Sequence, residues 1–193
     1  VFPTSIGQAS TWNPELIRQM GRVIAIEASA QGAHIGYGPV LDLARDPRWS
    51  RVEETYGEDP YLNGVMGTAL VRGFQGETLK DGKSVIATLK HFASYGWTEG
   101  GHNGGTAHIG ERELEEAIFP PFREAVGAGA LSVMSSYNEI DGNPCTGSRY
   151  LLTDILKDRW QFKGFVVSDL YAVGGLREHG VAGNDYEAAI KAV

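Results

Sequence analysis

Hydrophobic positions along this chain alternate between two patterns: stretches with a period near 3.6 residues, and short unbroken apolar runs. The first helical stretch opens at Asn13-Pro14-Glu15. There Asn can cap, and Pro sits in the first turn, whose N–H needs no partner. Leu16, Ile17, Met20, Val23, Ile24 and Ala28 follow on one face and predict a helix of about five turns. A strand is expected from Gly36 to Leu43, interrupted at Gly38-Pro39, and a helix from Pro60 to about Phe74. Val85 to Leu89, Leu131 to Ser135 and Gly164 to Ser168 are the other apolar, β-branched runs expected to be strands. Between them, Glu111 opens a helix with acids in its first turn, and Pro120-Pro121 should break or kink it midway. A further helix is expected from Ser148 to Trp160. Strands alternating with helices predict an α/β fold with a parallel sheet and crossover helices.

Each expected strand delivers polar groups at its end. Arg51 follows Val40-Leu41-Asp42-Leu43, Lys90-His91 follows the second strand, Tyr137 the third and Asp169 the fourth. That is the pattern of the C-terminal face of a β/α barrel. Such a barrel takes roughly 250 residues, whereas the chain has 193. Val1-Phe2-Pro3 reads as mid-loop, and the helical pattern from Asp185 to Val193 stops without a cap. The expectation is therefore a partial (β/α)8 TIM-like barrel, one incomplete domain over residues 1–193. As a fragment with open sheet edges and half a core, it is expected to be poorly stable alone.

A formal charge of −7 argues against a nucleic-acid surface, and no apolar stretch reaches membrane-spanning length. Cys145 is the sole cysteine, which excludes an internal disulfide and reads as a small residue packed in a loop. His102 and His108 lie in the glycine-rich stretch from Gly96 to Gly110, expected to be a surface loop. Their spacing matches no metal pattern, so neither a metal nor a cofactor is expected.

Asp169, at the tip of Gly164-Phe165-Val166-Val167-Ser168, is the leading candidate for chemistry, because a carboxylate at the end of a buried strand is costly to desolvate. Taken alone, it could equally cap the following segment. The run from Arg45 to Asp59 holds three arginines and five carboxylates, with Trp49 and Tyr56 among them. It reads either as a salt-bridged solvated loop or as a surface for a hydroxyl-rich ligand such as a sugar. Lys90 could form a Schiff base in an aldolase-like barrel, or donate hydrogen bonds to hydroxyls beside His91. A binding fragment without turnover is a third reading.

Four segments in order, Arg45 to Pro60, Lys90-His91-Phe92, Ser135 to Gly142 and Gly164 to Asp169, resemble glycoside hydrolase family 3 over nearly the whole chain. The resemblance is greatest to β-glucosidases, with β-xylosidases close behind. It implies an exo-acting retaining glycosidase that releases terminal non-reducing β-D-glucose through a covalent glycosyl-Asp intermediate. Its barrel domain would be followed by an α/β sandwich domain absent here. By this resemblance Asp169 is the catalytic nucleophile, and Arg51, Lys90 and His91 bind hydroxyls of the terminal sugar. Tyr137 lies near the nucleophile and Met134 lines the same pocket. The general acid/base would be a Glu on the second domain, beyond Val193, so the fragment alone is expected to be inactive. The substrate would be a β-linked oligosaccharide or an aryl or alkyl glycoside, and the location periplasmic or secreted. Leu170 follows the nucleophile where the family often has Trp, which bears on aglycone preference. Lys90-His91-Phe92-Ala93-Ser94-Tyr95 does not match the Lys-His-Phe-Pro-Gly-His type motif of the N-acetylglucosaminidase branch.

Overall fold

Capping side chains fix where the two longest helices begin. In the computed structural model, which describes residues 2–192 and so excludes Val1 and Val193, α1 spans Ser5–Ala9 and α2 spans Pro14–Ala30. The Asn13 side chain accepts a hydrogen bond from the Leu16 amide at 3.1 Å. Pro60 opens α3, Pro60–Gln75, where Asp59 accepts from the Leu62 amide at 2.6 Å. Asp59→Ala is expected to cost about 1 kcal/mol, the usual value of such a cap. A chemical denaturation midpoint of the full-length protein would measure it. The α2 and α3 helices meet at glycines. A Cβ on Gly73 would lie 2.4 Å from the Arg18 carbonyl oxygen and 2.9 Å from the Gly21 Cα. The two backbones approach too closely there for any side chain.

Four parallel strands form the main sheet in the order β1-β2-β4-β7: Ile35–Gly36, Ile86–Phe92, Ser132–Ser135 and Phe165–Ser168. Because consecutive strands are joined through helices and lie side by side, the sheet is an arc of a β/α barrel, unclosed among the described residues. The first strand is shorter than its apolar pattern predicts. Pro39 has no N–H to donate to a ladder, and past Gly36 the chain touches β2 through the Val40–Lys90 bridge and a Leu41 N–H to Lys90 carbonyl bond of 2.6 Å. The second strand runs longer than predicted and carries Lys90 and His91 within it.

Between β2 and β4 lie β3, Thr106–Ala107, then α4, Glu111–Glu113, and α5, Phe119–Gly127. The expected break at the prolines takes a milder form. Residues Leu114–Ile118 are wound with wide π-type turns, and Pro120 and Pro121 sit in the first turn of α5, where a missing N–H is harmless. The expected helix from Ser148 is likewise wide-wound, over Tyr150–Arg159. A small second sheet joins β3 to the hairpin of β5, Glu139–Ile140, and β6, Asn143–Pro144. Asp141 and Gly142 at its turn both have positive φ (47° and 85°), the requirement of a tight hairpin. Beyond β7 come α6, Ala172–Gly175, and α7, Asp185–Lys191.

The core lies between sheet and helices. Phe92 stands at its centre, with ring centroids 5.1 Å from Phe122, 5.6 Å from Trp160 and 5.8 Å from Phe119. By contrast β7 is only half-buried, because among the described residues it has a neighbouring strand on one side alone. Cys145 is enclosed, its thiol against the Ala93 carbonyl at 3.4 Å, and burial pushes its pKa up to about 12, so it is inert packing. No helix among the described residues is long and apolar enough to cross a membrane.

Candidate active site

Asp169 and His91 emerge from β7 and β2 at the C-terminal end of the main sheet, on either side of β4. His91 Nε2 lies 3.4 Å from Asp169 Oδ2, and neither atom has a hydrogen-bond partner among the described residues. The other carboxylate oxygen, Oδ1, accepts from the Leu170 amide at 2.7 Å, which fixes the side chain against its own backbone. The Asp169 side chain keeps 14% of its surface exposed, while Oδ2 itself is buried against His91.

The His91 ring is held on two sides. Its Nδ1 bonds Asp42 Oδ2 at 2.7 Å, and its face meets the Tyr95 ring edge-on at 4.9 Å. Tyr95 in turn carries the Arg51 guanidinium over its ring at 5.2 Å and donates its hydroxyl to Asn103 at 2.6 Å. Arg51 forks onto Glu54 through two bonds of 2.7 and 2.8 Å, and this pairing raises its pKa and keeps it charged. The same Arg51 bonds hold the Glu54 carboxyl below the usual carboxylate range.

Lys90 is half-buried. Burial, and behind it the Arg51 charge, lower its pKa from the ordinary lysine value, while Glu54, Asp169 and Asp42 pull the other way. Tyr137 donates its hydroxyl to the Leu170 carbonyl at 2.8 Å, and His179 Nε2 lies 3.1 Å from the Tyr137 carbonyl oxygen. Burial first, and the Asp169 charge second, push the Tyr137 phenol up to about 12, so it remains a donor at neutral pH. Met134 is buried in β4, in register with Val167 two residues before Asp169.

Of the six residues singled out in the sequence, Asp169, His91, Lys90, Arg51 and Tyr137 form one connected cluster, and Met134 packs in the strand between β2 and β7. Trp49 and Tyr56, read in the sequence as aromatics for a ligand, are both core residues. Trp49 serves the site indirectly, meeting the Tyr95 ring edge-on at 5.1 Å. Arg48 pairs with Asp46 on the surface, as the salt-bridged reading of that loop expects. The glycine-rich stretch is only partly a surface loop: Gly96, Thr98 and Gly101 are buried against the segment before it. A Cβ on Gly96 would meet the Leu43 carbonyl oxygen at 2.2 Å. Asp42 and Tyr95 were missed in the sequence. A carboxylate inside the apolar run Val40-Leu41-Asp42-Leu43 was the available signal for the first.

Next to the cluster lies a hollow of about 330 Å³ lined by residues that include Asn103, Tyr137, Leu170, Tyr171 and His179. Leu170 and Tyr171 are strongly exposed at its rim. The chemistry of the arrangement is that of a free carboxylate oxygen facing a histidine nitrogen, surrounded by two cations and phenolic donors. It suits an electrophilic carbon bearing hydroxyl groups.

The sequence profile described as "Glycosyl hydrolase family 3 N terminal domain" matches residues 1–193. A periplasmic beta-glucosidase of Salmonella typhimurium is 41% identical over 188 residues, covering 97% of this chain and 25% of the relative. A beta-xylosidase of Formosa agariphila is 48% identical over 195 residues, covering 98% of this chain and 27% of the relative. The crystal structure of a beta-glucosidase from Listeria innocua, also solved in complex with glucose, superimposes with a TM-score of 0.97 at 40% identity, covering 100% of this chain and 27% of that one. The chain thus spans about a quarter of the length of the relatives it matches.

Proposed function

The chain belongs to glycosyl hydrolase family 3, and on that premise we propose that it carries the nucleophile and the sugar-binding face of an exo-acting, retaining β-glucosidase. The observation that carries this reading is the unpartnered Asp169 Oδ2 beside His91 Nε2, ringed by Lys90, Arg51, Tyr95 and Tyr137. Asp169 attacks the anomeric carbon; the bond from that carbon to the leaving oxygen breaks, and a second carboxyl donates its proton to that oxygen. The acid is supplied by a Glu outside this chain, about 5–5.5 Å from the nucleophile, as retention requires. Water then attacks the glycosyl ester, gives its proton to the same Glu, and releases the sugar and the Asp169 carboxylate. Two displacements on opposite faces restore the original configuration.

Arg51, Lys90 and His91 bind hydroxyls of the terminal sugar, Met134 lines the pocket, and Tyr137 stands beside the nucleophile as a neutral donor. A Schiff-base role for Lys90, which its lowered pKa would suit, is disfavoured by membership of a glycosyl hydrolase family. β-Xylosidase is the second reading, favoured by the 48% identity to the Formosa agariphila protein. The substrate class is a β-linked oligosaccharide or an aryl or alkyl glycoside, and the barrel works together with the remainder of its own chain. The name of the Salmonella relative supports a periplasmic location.

The test is to trap the ester. A glucoside with an excellent leaving group and fluorine beside the anomeric carbon destabilises the charged transition states and lets the intermediate accumulate. We expect peptide mass mapping of the full-length enzyme to find one glycosyl adduct, on Asp169. An adduct on another carboxylate would overturn the assignment.

A further inference from the structure

Asp42 is a buried carboxylate for which the mechanism above has no use. Its carboxylate is fully enclosed, yet Oδ1 has no hydrogen-bond partner among the described residues. Both bonds it makes are on Oδ2 and both go to His91, from the backbone N–H at 3.1 Å and from Nδ1 at 2.7 Å. A carboxylate kept out of water with half its acceptor capacity unused is a poor way to fill space. Its place follows from the backbone. Segment 38–42 is laid along β2 by Thr88 N–H to the Gly38 carbonyl at 3.0 Å, Lys90 N–H to the Pro39 carbonyl at 3.1 Å, and Leu41 N–H to the Lys90 carbonyl at 2.6 Å. That register sets Asp42 directly behind the histidine.

We propose that Asp42 is a positioning residue: it anchors the Nδ1 edge of His91 and so aims Nε2 at the space beside Asp169 Oδ2 where a sugar hydroxyl is held. The inference rests on the glycosidase reading above and deepens it. Oδ2 already accepts the His91 backbone N–H, so it faces Nδ1 as an acceptor, and Nδ1 donating to it sets the tautomer. With Tyr95 against the ring at 4.9 Å, rotation that would swing Nε2 away is blocked. The free Nε2 and the free Asp169 Oδ2, 3.4 Å apart, then present one polar corner to a hydroxyl. The charged and titratable groups facing this corner are Asp42, Asp169, Lys90, Glu54, Arg51, Tyr95 and Tyr137.

The experiment is a double-mutant cycle in the full-length enzyme with a nitrophenyl β-glucoside, using Asp42→Asn, His91→Gln and the pair. Asp42→Asn is expected to lower kcat/KM about a hundredfold, the scale of a misplaced contact group, while the fluorinated glucoside still labels Asp169. In the H91Q background the same change should cost less than about twofold, because its effect runs through the ring. Equal losses in both backgrounds, or no loss in either, would overturn the proposal. Asp42→Ser is the second variant. Failure of both to fold, judged by near-UV circular dichroism, also counts against it, since Asp42 would then be a residue of the fold. If Asp169 itself is misassigned, the label fails to appear on it in the parent enzyme, while the cycle still reports whether Asp42 acts through His91.

Discussion

Replacing Asp169 by glycine in the full-length protein is expected to lower hydrolysis of an aryl β-glucoside by at least about a thousandfold, the order seen when a covalent nucleophile is removed. Azide should restore much of it. The side chain lost is the one whose Oδ2 has no hydrogen-bond partner among the described residues, and its removal opens a space of carboxylate size next to His91 Nε2. A small anion can enter that space and attack the anomeric carbon from the face Asp169 used. Because no second displacement follows, the product is the α-glycosyl azide, of configuration opposite to the substrate. Proton NMR of the product separates this outcome from simple residual turnover. Hydrolysis near the parent rate, or a β-configured azide, would rule out Asp169 as the nucleophile.

Gly164→Ala, five residues earlier and far less conspicuous chemically, is expected to cost about 3 kcal/mol of stability, at the upper end of ordinary overpacking. A Cβ there would lie 2.0 Å from the Leu131 carbonyl oxygen, 2.5 Å from its carbon and 2.6 Å from Phe162 Cζ. Two of those atoms are backbone and cannot step aside. That carbonyl accepts the Phe165 N–H at 3.1 Å, the first rung holding β7 to β4. The methyl group therefore pushes β7 out at its root and carries Asp169 away from His91. A displacement of about 1 Å costs on the order of a hundredfold in rate. The control is Gly127→Ala at the end of α5, where an added Cβ meets nothing within 4 Å. That change should be neutral or stabilising by about 0.5 kcal/mol. Equal denaturation midpoints and equal turnover for the Gly164→Ala and Gly127→Ala proteins would contradict the argument.

Much of the frame is readable from local chemistry. Asn13-Pro14 and Asp59-Pro60 announce their helices because the cap and the proline act within one turn. Asp169 stands out because an apolar run ends in a carboxylate, and Lys90-His91 because paired polar groups follow β-branched residues. What escaped is what depends on distant partners. Asp42 reads as one polar position in an apolar run, and its meaning comes from a histidine 49 residues away. Trp49 and Tyr56 are aromatics among charges, and nothing local tells whether a ring points to solvent or to core. The hairpin at Asp141-Gly142 was within reach, since Asp-Gly between short runs is a turn signal with a known geometry. The widening of Leu114–Ile118 was not, because Pro120 constrains the carbonyl four residues before it without dictating how the helix yields.

The glycine contact between α2 and α3 has a consequence for how the sequence can drift. Gly73 fills a place where the opposing main chain leaves no volume, so substitution there cannot be rescued by any change in the side chains around it. Random variation across this pair should therefore be sharply restricted at Gly73 and less so at Gly21, well away from the carboxylate and the imidazole. A survey of viable variants would record Gly73 as sharply as it records the reacting groups, although it never meets a substrate.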